Sequence, residues 1–144
     1  AKPGVPNAFG LVGDDANAVG PGKRQLSSMT PTLAFKDGQL ALVTGSPGGS
    51  RIITTVLQIL LNVIDHRMNI AEATIAPRVH HQWLPDELRV EEGLSPDTVQ
   101  LLERLGHKVV VKDAMGDTQS IVRAPEGLYG FSDTRRADGL AVGY

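Results

Sequence analysis

The chain has 144 residues, 41% of them hydrophobic, a formal net charge of −2 and no cysteine. That length suits one domain, residues 1–144, with a real core; the charge leaves no basic footprint for nucleic acid, and no apolar run approaches the roughly 18 residues of a membrane span. Without cysteine there is no disulfide, thiolate nucleophile or Cys-based zinc site, and the redox compartment stays open.

The chain opens on Ala1-Lys2-Pro3-Gly4 rather than on Met, so an upstream portion is expected to have been removed. Residues 1–24 hold Pro3, Pro6 and Pro21 and sustain no helical or alternating period. Irregular segments of that length are usually functional or belong to something larger, with disorder as the alternative. Gln25 to Pro31 reads as a polar corner, in which Ser27 and Ser28 put two hydroxyls and two amides close enough to hold a carboxylate. Turn residues that bond their own backbone would look the same.

Asp37-Gly38 between Thr32–Phe35 and Gln39–Thr44 predicts a hairpin, and Leu40, Leu42 and Val43 predict that its second strand is central and covered. The turn Thr44-Gly45-Ser46-Pro47-Gly48-Gly49-Ser50 then leads into a helix over residues 51–65. Gly48 and Gly49 can take positive φ and let a ligand approach their amides. Ser50 is the expected N-cap, so free donors and the positive dipole end meet at a spot suited to an anion or to a developing negative charge. Backbone geometry alone would also explain the glycines. Ile52, Ile53, Val56, Leu57, Leu60, Val63 and Ile64 form one apolar face, and Ile59 and Leu61 widen it, which predicts a helix covered on more than one side. Arg51, opposing the dipole, calls for a carboxylate partner unless it is solvated.

Asn69 to Glu72 reads as a capping box whose helix Pro77 ends near Ala76. His80 and His81 follow on an extended segment, where neighbours point to opposite faces, so no metal site is expected there. Glu87 to Glu91 alternates like a strand with one wet face and solvated charges. Ser95-Pro96-Asp97 starts a helix that Gly106 ends. His107–Lys112 reads as a strand, and Gln119–Arg123 and Leu128–Ser132 as a second hairpin around Ala124 to Gly127. The residues from Asp133 to Tyr144 are expected to wrap the surface.

Four stretches, in order along nearly the whole chain, closely resemble the small subunit of bacterial gamma-glutamyltranspeptidase. They are Leu26 to Thr32, Leu42 to Ile52, His80-His81-Gln82-Trp83-Leu84-Pro85-Asp86 and Tyr129-Gly130-Phe131-Ser132-Asp133. The resemblance implies an α+β fold that forms part of a four-layer αββα sandwich of the N-terminal nucleophile hydrolase type, with mostly antiparallel sheets and covering helices. It also implies a self-cleaving precursor whose exposed threonine attacks the γ-glutamyl carbonyl of glutathione or a similar donor. Water, an amino acid or a peptide amine then accepts the acyl group, and no cofactor or metal takes part. Gly48 and Gly49 match the oxyanion hole, and Ser27 and Ser28 match the pair that holds the donor carboxylate. The nucleophile is expected upstream of Ala1, which cannot itself serve, and the large subunit of the same precursor is the expected partner. The chain alone is therefore expected to be inactive, with uncovered edges that favour self-association. Family members of bacterial origin are periplasmic or secreted.

Three rivals remain at this stage: a related amidase such as a cephalosporin or glutaryl acylase, an anion- or nucleotide-binding module cradled by residues 45–50, and a fragment without function of its own. The missing Gly-Lys-Ser/Thr ending of a P-loop counts against the nucleotide module.

Overall fold

The computed structural model describes residues 3–143. Residues 3–31 are mostly irregular, with a few turns, a lone bridge between Pro6 and Val12 and a short 3₁₀ turn at Asp15–Asn17. Asp37 and Gly38 then adopt φ of 51° and 76°, the left-handed pair a two-residue hairpin turn requires, and join β1 (Thr32–Lys36) to β2 (Gln39–Gly45). α1 (Ile52–Ile64) follows the glycine-rich turn. α2 (Ile70–Ile75) starts at the reciprocal capping box of Asn69 and Glu72 and stops before Pro77. β3 (Val79–His80) and β4 (Leu88–Val90) are short strands. α3 (Pro96–Arg104) begins with Pro96 in its first turn, although the Ser95 side chain makes no cap hydrogen bond. It ends at Gly106, whose φ of 94° suits only glycine well. β5 (Val109–Val111), β6 (Gln119–Ala124) and β7 (Gly127–Ser132) complete the chain order.

Strands β1-β2-β6-β7 form an antiparallel sheet. Leu42 of β2, Ile59 of α1 and Ile70 of α2 make the buried centre on one face, with Ala34, Val122 and Phe131 packed around them. On the other face, Leu33, Val43 and Ile121 lie in register across three strands, and Leu33 and Ile121 are exposed. Strands β3-β4-β5 form the smaller sheet, in which β4 and β5 run parallel because α3 carries the chain back between them. α1 joins the two sheets. Gln58 accepts from the Val79 amide and donates to the Val79 carbonyl, both at 2.9 Å, so a helix side chain pairs with β3 as a neighbouring strand would.

Three expectations about burial are corrected. Leu40 is exposed, since it lies past the register shift at Ala34/Phe35, at the turn end of the hairpin. Ile59 is completely buried and belongs to the main face of α1, not to a second one. Among the described residues, only that face is covered; Ile53, Leu57, Leu61 and Ile64 form an exposed apolar stripe.

The third correction concerns charge. Glu91, expected to be solvated, and Asp133, expected on the surface, are buried together with Arg78. Arg78 Nη2 donates to Asp133 Oδ2 at 2.6 Å. Arg135 donates to Asp133 Oδ1 at 3.1 Å and through Nε and Nη2 to the Glu91 carboxylate at 2.5–3.2 Å. Glu91 also accepts the Arg78 and Met115 amides, and Asp133 the Thr118 amide. The C-terminal stretch is thus pinned to α2, β4 and the 115–118 loop. Burial alone would raise both carboxyl pKa values. Hydrogen bonds from Arg135 to Glu91, and from the Thr118 amide and Arg78 to Asp133, outweigh it and hold both below the ordinary carboxylate range.

Candidate functional site

Where β2 ends, the chain makes a 3₁₀ turn at Gly49–Arg51 that runs directly into α1. Gly48 and Gly49 take φ of 142° and 61°, values that a side chain would strain. Neither amide donates to any acceptor among the described residues. Two adjacent donors without partners, at the positive end of a helix, are what a developing oxyanion requires. Ser46 anchors the turn, since its Oγ accepts the Asp117 amide at 3.0 Å and donates to Pro47 O at 2.7 Å.

Ser50 is not the N-cap. It lies inside the 3₁₀ turn, and the residue preceding α1 is Arg51, whose backbone is already helical, so no extended residue is left to cap with its side chain. The Ser50 hydroxyl instead donates to Gln82 Oε1 at 2.9 Å. Gln82 Nε2 in turn donates to Phe9 O and Leu84 O, both at 2.9 Å, which fixes the orientation of the amide. Its Oε1 therefore faces His80 Nε2, 2.9 Å away, and neutral His80 must carry its proton on Nε2. His80 Nδ1 then accepts from Thr54 Oγ1 at 2.8 Å. Burial lowers the His80 pKa and nearby Arg51 lowers it further, against the Gln82 hydrogen bond, so the ring is neutral at pH 7. His81 points elsewhere, to Asp86.

Through Gln82 the irregular N-terminal stretch reaches the glycine turn. The Phe9 ring lies against Gly49 so closely that a Cβ built there would sit 2.5 Å from it. The His80 to Asp86 stretch stands out in the sequence, but this junction does not, because its ends are far apart in the chain. Ser27 and Ser28 are placed at the polar corner. Ser27 Oγ accepts the Met29 amide at 3.2 Å, a hydroxyl bonding the local backbone, whereas at Ser28 it is the backbone carbonyl that accepts from Thr30 Oγ1 at 3.0 Å. No hydrogen bond among the described residues joins this pair to Gly48 and Gly49. Ala1, excluded as a nucleophile, lies outside the described residues.

A family model described as gamma-glutamyltranspeptidase matches residues 1–143. The chain belongs to the gamma-glutamyltranspeptidase family. It is 69% identical over 145 residues to the glutathione hydrolase proenzyme of Escherichia coli strain K12, a match covering 100% of this chain and 25% of that protein. The glutathione hydrolase proenzyme of Pseudomonas sp. strain A14 is 46% identical over 155 residues, covering 100% of this chain and 27% of that protein. The chain thus spans about a quarter of the length of these relatives. The solved T380A mutant of Helicobacter pylori gamma-glutamyltranspeptidase superposes with a TM-score of 0.88 at 53% identity, over 94% of this chain and 76% of that one. The Pseudomonas nitroreducens enzyme complexed with L-DON gives 0.86 at 44% identity, over 99% and 77%. The α+β architecture of antiparallel sheets and covering helices is therefore the N-terminal nucleophile hydrolase fold of this transpeptidase family.

Proposed function

We propose that this chain supplies the oxyanion hole and the donor-carboxylate site of a γ-glutamyl acyltransferase and hydrolase that acts on glutathione or other γ-glutamyl amides. The observation that carries the reading is the pair of unpartnered amides of Gly48 and Gly49, both at positive φ, in a member of this family. In this reading a threonine from the remainder of the precursor attacks the γ-carbonyl, and its α-amine takes the hydroxyl proton. The carbonyl oxygen becomes an anion between the two glycine amides, which shorten their hydrogen bonds as its charge grows. Collapse breaks the C–N bond as the α-ammonium returns its proton to the leaving amine, and water or an amino-acid or peptide amine, giving up a proton to the same α-amine, then attacks the γ-glutamyl-threonine ester through the same tetrahedral geometry. Ser27 and Ser28 hold the donor α-carboxylate.

The large subunit of the same precursor is the proposed partner. Leu33 and Ile121, on either side of half-buried Val43, and the Ile53–Leu57–Leu61–Ile64 stripe are apolar surfaces exposed among the described residues, and their exposure supports both that partner and self-association of the isolated chain. No helix among the described residues is long and apolar enough to cross a membrane, and a periplasmic or secreted location is proposed from the family.

A second reading is favoured by the Acylase ACY 1 proenzymes of two Pseudomonas strains, each 40% identical over 129 residues and 88% of this chain. The same oxyanion hole would then serve a glutaryl-type amide. One experiment separates the readings: release of anilide from γ-glutamyl and glutaryl p-nitroanilides by this chain alone and by the chain restored to its full precursor. The proposal expects turnover of the γ-glutamyl compound by the restored precursor only. Turnover by the bare chain, or of the glutaryl compound alone, would overturn it.

A further inference from the structure

A cavity of about 190 Å³ opens beside the glycine turn, lined in part by Phe9, Arg51, His80, Gln82, Arg89 and Lys112. Its charges are unequally matched. Lys112 is paired with Glu87, also in the lining. The Arg51 guanidinium makes no hydrogen bond and has no carboxylate within 4.0 Å among the described residues. Arg89 donates through Nη2 to Asp113 O, but its Nε is buried without a partner. With His80 neutral, two arginines share a small, partly enclosed space and, among the described residues, neither has a carboxylate within 4.0 Å, although Asp113, Glu91 and Glu87 attract Arg89 from further off. Burial lowers the Arg89 pKa, and the neighbouring Arg51 charge lowers it again, a strain that an incoming anion would relieve.

The position of the cavity narrows the anion. Phe9 is its wall on one side and rests on Gly49 on the other, and Arg51 follows Gly49 by two residues. In acyl transfer the amine that leaves and the amine that attacks occupy the same side of the carbonyl carbon. For a γ-glutamyl peptide donor and an amino-acid or dipeptide acceptor, each of these amines belongs to a molecule ending in a carboxylate. A dipeptide reaches about 7 Å from amine to carboxylate when extended, so its carboxylate needs a holder set apart from the carbonyl under attack. The volume is below the roughly 300–1,000 Å³ of pockets that enclose a whole ligand, as befits a site for one end of a molecule.

We propose that Arg51 and Arg89, in the cavity walled by Phe9, hold the carboxylate of the amine partner, first that of the leaving peptide and then that of the acceptor. This rests on the γ-glutamyl reading and extends it to the other half of the substrate. Its test uses the full precursor carrying this chain, with γ-glutamyl p-nitroanilide as donor and either glycylglycine or glycylglycinamide as acceptor, KM being counted on the free amine. A charge-assisted contact of this kind predicts an acceptor KM about tenfold higher for the amide. Arg89→Gln and Arg51→Gln should each shrink that ratio toward one, and Arg89→Lys should restore part of it. Equal KM values for the two acceptors in the unmutated enzyme would overturn the proposal without recourse to any variant, as would a ratio that survives both glutamine substitutions. Failure of the unmutated precursor to turn over the anilide at all would instead overturn the γ-glutamyl reading, and this proposal with it.

Discussion

The glycine turn and the cluster around Asp133 handle polar groups in opposite ways. Around Asp133, four buried or half-buried charges and several backbone groups satisfy one another, and of the polar atoms of those four side chains only Arg78 Nε is buried without a partner among the described residues. At the turn, two adjacent amides have none among the described residues. A closed network fixes where chain segments sit but has no capacity left for a substrate. An open pair of donors adds little to stability and is ready for charge that arrives during a reaction. The two lie at opposite ends of one connection: Ser46 holds the turn to Asp117, and the adjacent Thr118 amide is bound by Asp133.

The largest effect should come from opening the closed network. Asp133→Ala would leave Arg78 buried without its carboxylate and strand the Thr118 amide. Breaking a buried pair from one side costs about 3–5 kcal/mol, so the midpoint of urea unfolding should fall far below that of the unmutated chain. A loss under about 1 kcal/mol, the scale of an exposed pair, would show that the network is not what pins the C-terminal stretch.

At the glycine turn the loss should appear in turnover rather than in stability. Gly48→Ala meets nothing nearer than 3.8 Å, so its cost is the strained φ, of order 1–3 kcal/mol, together with a disturbed donor. In the restored precursor, kcat on the anilide should fall about 10²–10³-fold. Gly49→Ala must also push the Phe9 ring aside and should alter acceptor KM as well. Ser28→Ala, removing a ground-state contact, should raise donor KM more than it lowers kcat. If the glycine variants changed only KM, the oxyanion assignment would be lost.

What the sequence made legible was local. The Asp37-Gly38 hairpin, the Asn69/Glu72 capping box, the start of α3 at Pro96 and the glycine turn each depend on residues within a few positions of one another, and each stands where the pattern predicts. Glu91 looked solvated because alternation in β4 describes one strand and is blind to Arg135, 44 residues away. Gln82 stands in the His80 to Asp86 stretch without a role of its own, because its partners, Phe9 and Ser50, are reached only through the fold. The width of the apolar band on α1 was visible, but which residues of it face the core was not, since that depends on where β2 and α2 lie. Ser50 shows the limit of even a local rule: a single 3₁₀ turn ahead of α1 moved the helix start past it.

The smallest predicted effect separates the two regions by pH. His80, Glu91 and Asp133 all have folded pKa values below their ordinary ones, so the unfolded chain takes up protons first as pH falls, and the stability each group lends is present above its unfolded value and lost below it. For His80 that loss begins below about pH 6.5, and for the two carboxylates only below about pH 4.5. Protonated His80 could no longer accept from Thr54 and would carry its charge toward Arg51, Arg89 and His81. Between pH 6 and 5, amide hydrogen exchange, corrected for its intrinsic pH dependence, should therefore quicken around Phe9, Ser50 and Gln82 while the Met115–Thr118 amides stay protected. Loosening of both regions at one pH would mean that the turn and the charge cluster open as a unit, and the contrast between them would then be one of chemistry without one of stability.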